Sequence, residues 1–420
     1  MENNRLFKGY WWLPSSPENK VAGTLSVGSK GEVVLELIGN VDVEIDGFYL
    51  DRKDNPVIFG RCYANGANVT DISLFRCHPS ITRHYGSSFS IIRYTCRYAL
   101  IGIHVESMEE FAFFKSRMCF KELTYWCPPT NVTKTLGERE LTLTVDFAEG
   151  EDTTKASFKL DDDTTLLVKE SVSCFTEFPE VNISQSSYLE IQKDMMNVFQ
   201  VLDWALRFER FMSVAALRPV EHGRITVYSK NKCQNLKKGE FHYFPIELVT
   251  PLYNSEDFDS KETIGFLFKH EDIAAEFGDM FKKLCLDKNM AQILSNLIYS
   301  LERKRIFTSN DFLVVAQALD GFAMRFRREQ SILNEYTDLR DEFQDIQRLQ
   351  LTDEDLRAAV DSRNYYSHIL KLDKKAVRNV LDGAELLSLT NNLRTLLVCC
   401  VLNFMGLDNN RINQLLNGCH

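Results

Sequence analysis

Eight consecutive residues, Asp361-Ser362-Arg363-Asn364-Tyr365-Tyr366-Ser367-His368, hold an arginine and a histidine with four residues between them, and an asparagine directly after the arginine. Read as a helix, the stretch turns about 100° per residue. Asn364 and His368 then stand one above the other on one face, and the long Arg363 side chain reaches the same patch from one step round. A permanently charged guanidinium, an amide and an imidazole on about one helical turn can grip a phosphate and move a proton beside it. The bare spacing of one Arg and one His carries little; the asparagine and the small Ser362 sharpen it. The competing reading is a solvated helix face.

The element that must carry these residues is a helix over Asp353–Leu370. Thr352 is placed to cap it, and Asp353, Glu354 and Asp355 suit the positive end of its dipole. The apolar stripe runs Leu356, Ala359, Val360, arrives at Arg363, Asn364 and Ser367, and resumes at Leu370. Polar residues where the pattern asks for core mark a functional or partner-facing surface.

Arg363-Asn364-Tyr365-Tyr366-Ser367-His368 resembles the signature of the HEPN superfamily, whose ribonuclease members carry Arg-x-x-x-x-His, often as Arg-Asn-x-x-x-His. The C-terminal third as a whole resembles the HEPN domain of ApeA-type anti-phage proteins. The N-terminal part resembles their partner domain, starting with Gly9-Tyr10-Trp11-Trp12-Leu13-Pro14 and Ala22-Gly23-Thr24-Leu25. The likeness is loose in the middle of the chain.

The resemblance implies an endoribonuclease of abortive infection that needs no metal and no cofactor. The 2′-hydroxyl of RNA would attack the adjacent phosphate and leave a 2′,3′-cyclic phosphate; DNA lacks the nucleophile. Arg363 would neutralise the scissile phosphate, His368 would act as general base or acid, and Asn364 would position the phosphate or hold His368. An acidic residue at Asp320 would approach the site and orient His368 or Arg363, against the reading of an exposed or capping Asp. Ser367, Tyr365 and Tyr366 flank the motif; a tyrosine could stack on a base or pack in the bundle. One motif supplies one histidine, and related nucleases dimerise so that two motifs face each other. The expected partners are therefore a second copy bound through the HEPN domain, with higher assembly left open, a cellular RNA with tRNA among the candidates, and a phage-derived trigger. The basic clusters Arg303-Lys304-Arg305 and Arg325, Arg327, Arg328 could guide the RNA backbone, or be helix-end cations near the negative dipole. The alternative function is a non-catalytic HEPN module that binds RNA or protein, or only dimerises.

Composition bounds these readings. A formal net charge of -10 argues against coating nucleic acid by bulk attraction. Residues 271–420 carry 19 Lys and Arg against 22 Asp and Glu, so the second part is nearly balanced. Eleven cysteines without a C-x-x-C pair read as small apolar residues of a reduced, cytoplasmic protein, with no metal site. No apolar run opens the chain, and the most apolar segment, Leu396–Leu402, is too short to span a bilayer, so no membrane partner is expected. Walker-type and Gly-x-Ser-x-Gly motifs are missing, which removes the NTPase and serine-hydrolase readings.

The predicted fold class is α+β. Residues 1–269 form a β-rich, sandwich- or barrel-like domain, with strands to about 175 by their alternation, a long helix over 188–217 and further strands over 224–250. Residues 270–420 form an all-α bundle with helices near 273–285, 290–302, 310–326, 334–347, 353–370 and 384–404. Trp11 and Trp12, at the entrance of the first domain, read as packing rather than a stacking platform, and His78 and His84 as loop residues without a third ligand.

Overall fold

Phe7, Trp11, Leu25, Leu35, Cys62 and Leu74 come from alternate positions of different strands, and all face one interior. In a computed structural model the described residues are 4–39, 41, 56–64, 68–85, 89–137, 141–147, 152–236, 240–252, 265–302, 306–327, 331–368 and 379–418. Strands β1 (Arg5–Trp12), β2 (Val21–Val27), β3 (Val33–Ile38), β4 (Ile58–Ala64), β5 (Asn68–Tyr85) and β6 (Phe89–Ile101) are antiparallel neighbours. Their order β6-β3-β2-β1-β4-β5 closes by a β5–β6 pairing, so six strands make a barrel. Closure removes the free edges that an open sheet would leave. Trp11 is fully buried inside, and a Cβ on Gly60 would come within 2.3 Å of its ring, so only glycine fits opposite it. Trp12 is nearly buried beneath the Lys20 ammonium. Both tryptophans therefore pack.

The sheet continues past β6. After β7 (Phe113–Cys119) and the short helix α1 (Lys121–Trp126), β8 (Val132–Leu136) and β9 (Leu141–Val145) form a separate hairpin. Then come β10 (Asp152–Lys159), β11 (Thr164–Glu177), β12 (Glu180–Met196), helix α2 (Val198–Ala216), β13 (Ile225–Tyr228), the small hairpin of β14 (Cys233–Asn235) and β15 (Phe241–Tyr243), and β16 (Ile246–Val249). The order β10-β11-β12-β7-β13-β16-β6 makes β6 a member of both barrel and outer sheet. His78 and His84, expected in a loop, belong to β5.

The long helix expected over 188–217 begins ten residues later, at Val198. Residues 188–196 belong to β12, which pairs with β11 on one edge and β7 on the other. Tertiary pairing overrides the helical spacing of Ile191, Met195 and Val198. The switch is written in Asn197 and Gln200: each side chain accepts the other's backbone N–H at 2.9 Å, a reciprocal cap.

The remaining elements are helical: α3 (His270–Ile273), α4 (Phe277–Leu286), α5 (Met290–Leu301), α6 (Ser309–Phe326), α7 (Ile332–Glu342), α8 (Asp353–His368), α9 (Gly383–Met405) and α10 (Asn409–Gly418). The six expected helices correspond to α4–α9, with α7 ending at Glu342 rather than near 347; α3 and α10 are in addition. Helix α9 is long and apolar enough to cross a membrane, although its Leu396–Leu402 core alone is too short; 61% of its apolar window is buried inside the protein, as for a bundle core. By compactness the chain divides into Met1–Lys121, Pro129–Ala205 and Glu221–Asp259 on one side, and Glu122–Pro128, Leu206–Val220 and Ser260–His420 on the other. The helical unit thus takes in α1 and the second part of α2, where a single cut near 270 would leave them with the strands. Its aromatic core joins Trp126, Phe211, Phe277 and Phe281, and the Trp126 indole N–H donates to Phe268 O at 3.0 Å.

Candidate active site

Helix α8 starts as its sequence dictates. Thr352 Oγ1 accepts the Asp355 N–H at 3.1 Å, and Asp355 Oδ2 accepts the Thr352 N–H at 2.8 Å. Its buried stripe is Leu356, Ala358, Ala359 and Ser362. Ser362 lies deeper than the neighbouring Arg363 and Asn364, which are half-buried, and Ser367 and His368 are exposed. The stripe that was expected to run into Ser367 therefore leaves the core at Ser362.

The core beneath Arg363 is polar. Arg363 Nε donates to Asp320 Oδ2 at 3.2 Å, and Nη1 donates to Asn364 Oδ1 at 3.2 Å. Asp320 lies on α6 among the buried residues Ala316, Leu319 and Ala323, and is itself only 8% exposed. Its other oxygen faces Tyr336 of α7: the phenol is 2.7 Å from Oδ1 and 3.2 Å from Ala316 O. A phenol has one proton, and the shorter contact to the charged acceptor takes it. Burial, and then the Asp320 charge, push the Tyr336 phenol well above its ordinary value, so it stays a donor. Three helices thus meet in a chain Tyr336–Asp320–Arg363–Asn364. Removing the phenol with Tyr336→Phe leaves one buried Asp320 oxygen without its donor, at an expected cost of about 1–3 kcal/mol in a urea melt of the helical unit.

The same helix is tied to the start of the next. Ser362 Oγ accepts the Leu381 N–H at 3.0 Å, Asp361 Oδ2 accepts the Asn379 N–H at 3.0 Å, and the Tyr366 hydroxyl donates to Leu381 O at 2.9 Å. Tyr366 also meets Phe312 edge-on, and Tyr365 meets Tyr366 at 4.9 Å. Burial first, then Asp382 and Tyr365, raise the Tyr366 phenol. Tyr366 therefore packs in the bundle. Arg363 and His368 make no hydrogen bond with each other; five residues of helix set them about 7.5 Å apart along the axis and about 140° round it.

Of the expected site residues, the structure joins Asp320, Arg363 and Asn364, with Asn364 holding Arg363 rather than His368. Asp320 is neither exposed nor a cap. Arg325 donates to Asn289 O at 2.6 Å, and Arg327 Nη2 donates to both Glu342 carboxylate oxygens, at 3.0 and 2.9 Å, while its guanidinium lies over the Phe322 ring; both arginines are exposed. Arg303, Lys304, Arg305 and Arg328 lie outside the described residues. Tyr336 was missed. Its signal is the spacing Tyr336, Leu339, Phe343, which puts a phenol on the apolar stripe, where a buried hydroxyl must find a partner. Asp320 carries a matching signal, a carboxylate on the buried face of α6. Among the described residues no cluster of three or more His, Cys, Asp or Glu could hold a metal ion.

Two family models match the chain. Residues 6–284 match ApeA N-terminal domain 1, and residues 320–411 match Apea-like HEPN. The second match contains Asp320, Tyr336 and the whole motif from Arg363 to His368. No curated protein and no solved structure matches the chain. With more than half of the chain under one model and the motif helix under the other, this protein belongs to the ApeA family, an N-terminal ApeA domain followed by an Apea-like HEPN domain.

Proposed function

We propose that the chain is a HEPN endoribonuclease of anti-phage defence, acting in the cytoplasm, that cuts RNA by 2′-hydroxyl attack without a metal. The observation that carries this reading is the anchored arginine. Asp320 and Tyr336 fix the Nε edge of Arg363, while Nη2 has no partner among the described residues. A guanidinium held in this way can meet a phosphate oxygen with little reorganisation. His368, exposed on the same helix, takes the proton from the 2′-hydroxyl or gives one to the 5′-oxygen. The turn between Arg363 and His368 suits a composite site, in which two α8 helices face each other across a two-fold axis and one copy's histidine works beside the other's arginine. The trigger is phage-derived, and infection turns the enzyme on host RNA.

The test is cleavage of total cellular RNA in EDTA by the wild type and by His368→Ala. The expected result is discrete fragments with 2′,3′-cyclic phosphate ends from the wild type, and a rate lower by about 10²–10⁴ in the variant. Dependence on added divalent metal would remove the metal-independent mechanism. Arg363 already has a carboxylate partner, which also favours a second reading, a bundle that binds RNA or protein without cutting. Equal silence of both proteins, with and without phage extract, would leave that reading standing.

A further inference from the structure

The outer face of the barrel carries a second feature. Along β1 the residues Phe7 and Trp11 point inward, so Lys8 and Tyr10 point out; along β4 Ile58 and Cys62 point inward, so Arg61 and Tyr63 point out. In the antiparallel register Lys8 stands opposite Tyr63, and Tyr10 opposite Arg61. The two tyrosines are therefore diagonal neighbours and the two cations fill the other diagonal, at side-chain separations of about 5–8 Å. Tyr10 is 59% exposed and Tyr63 58%. Neither phenol has a partner among the described residues, and nor does the Lys8 ammonium. Arg61 is laid flat by Asp71, its opposite residue on β5, at 2.9 Å.

We propose that this face binds single-stranded RNA, with Tyr10 and Tyr63 stacking on successive bases and Lys8 meeting the phosphate between them, beside Arg61 in its pair with Asp71. Both rings are more than half exposed on adjacent strands, which leaves their faces open to stacking. Rings that alternate with cations match an unpaired strand, whose bases offer π-faces and whose backbone offers charge at each step. A protein interface is the weaker fit at Lys8, a residue type depleted from interface centres, whereas tyrosine and arginine suit either partner. The choice of RNA rests on the ribonuclease reading, and the barrel would then help select or hold the substrate.

The experiment uses the full chain with His368→Ala, so that RNA stays intact, and a fluorescein-labelled single-stranded oligoribonucleotide followed by anisotropy. Tyr10→Ala with Tyr63→Ala should weaken binding at least about tenfold, and the paired Phe substitutions should restore it. Lys8→Ala should lower the salt slope of log affinity by about 0.7. A duplex of the same sequence should compete poorly. Absence of binding by the His368→Ala chain, unchanged affinity in the double Ala variant, or equal competition by duplex would overturn the proposal. So would a changed oligomeric state in light scattering with RNA affinity intact, which would assign the face to a protein contact. Cleavage by the wild type is scored separately: binding without cleavage sinks only the nuclease reading, and cleavage with a silent barrel face sinks only this one.

Discussion

Arg363→Ala is expected to destabilise the helical unit by about 3 kcal/mol, whereas His368→Ala changes stability by no more than about 0.5 kcal/mol. The two motif residues look equivalent in sequence and are not equivalent in the fold. The Asp320 side chain is 12% exposed and that of Arg363 is 23% exposed, so the pair is shielded from water and little discounted by screening. Removing the cation leaves a buried carboxylate whose remaining donors are Tyr336 and whatever water enters. His368 is exposed, and its loss leaves nothing buried and unpaired. Urea melts of both variants, followed by hydrogen exchange in α6 and α8, would read the difference. Arg363→Ala combined with Asp320→Asn should recover about half of the loss, because the stranded charge is gone. Identical melts for the Arg363→Ala and His368→Ala proteins would mean that Asp320 is solvated in solution and that the anchor does not exist. This matters for reading activity: silence of Arg363→Ala alone confounds catalysis with folding, while silence of His368→Ala does not.

Glu190→Gln is expected to have an effect of similar size in the β-rich unit. Glu190 on β12 is 1% exposed, and its carboxylate lies 2.9 Å from Arg117 Nε and 3.2 Å from Lys169 Nζ. Burial is the largest influence on this carboxyl and pushes it up. Gln192, Lys169, Lys115 and Arg117 together outweigh burial, so the group sits below the usual carboxylate range. A carboxyl depressed in the folded state contributes stability that is complete above its unfolded value of ~4.3 and is lost as pH falls through the folded one. The wild type should therefore lose stability at the β7–β12 pairing below about pH 4. Glu190→Gln should lack that step and be weaker by about 3 kcal/mol at neutral pH, where the cations face each other without the carboxylate. Backbone hydrogen exchange at residues 113–119 and 186–192, across pH 3 to 7, separates this from unfolding of the helical unit. A flat wild-type profile in that window would refute the assignment.

The helices were legible because each buries one stripe against its neighbours, and periodicity reports that directly. The motif was legible because Arg363 and Asn364 interrupt such a stripe. What its sequence did not reveal was direction: Arg363 turns inward to a carboxylate, and His368 turns out. That depends on α6 and α7, whose own signals were single polar residues in apolar stripes, Asp320 and Tyr336. The barrel was legible as short alternating strands, but its closure was not, since the β1–β4 and β3–β6 pairings join strands that are not neighbours in sequence. The mistaken start of the long helix has a local cause. Residues 186–196 satisfy both periodicities loosely, and only the paired caps at Asn197 and Gln200 mark where one ends.

Strand β6 has a consequence for the order of assembly. Its barrel partners, β3 and β5, precede it in the chain, so the six-stranded ring can close once Ile101 is available. Its other partner, β16, ends at Val249 and is made much later. At about 5–20 residues per second of synthesis, the outer edge of residues 99–101 waits about 7–30 seconds for its mate. A ribosome stalled between the two would hold a finished barrel beside an open sheet edge, the arrangement that invites pairing with a neighbouring nascent chain.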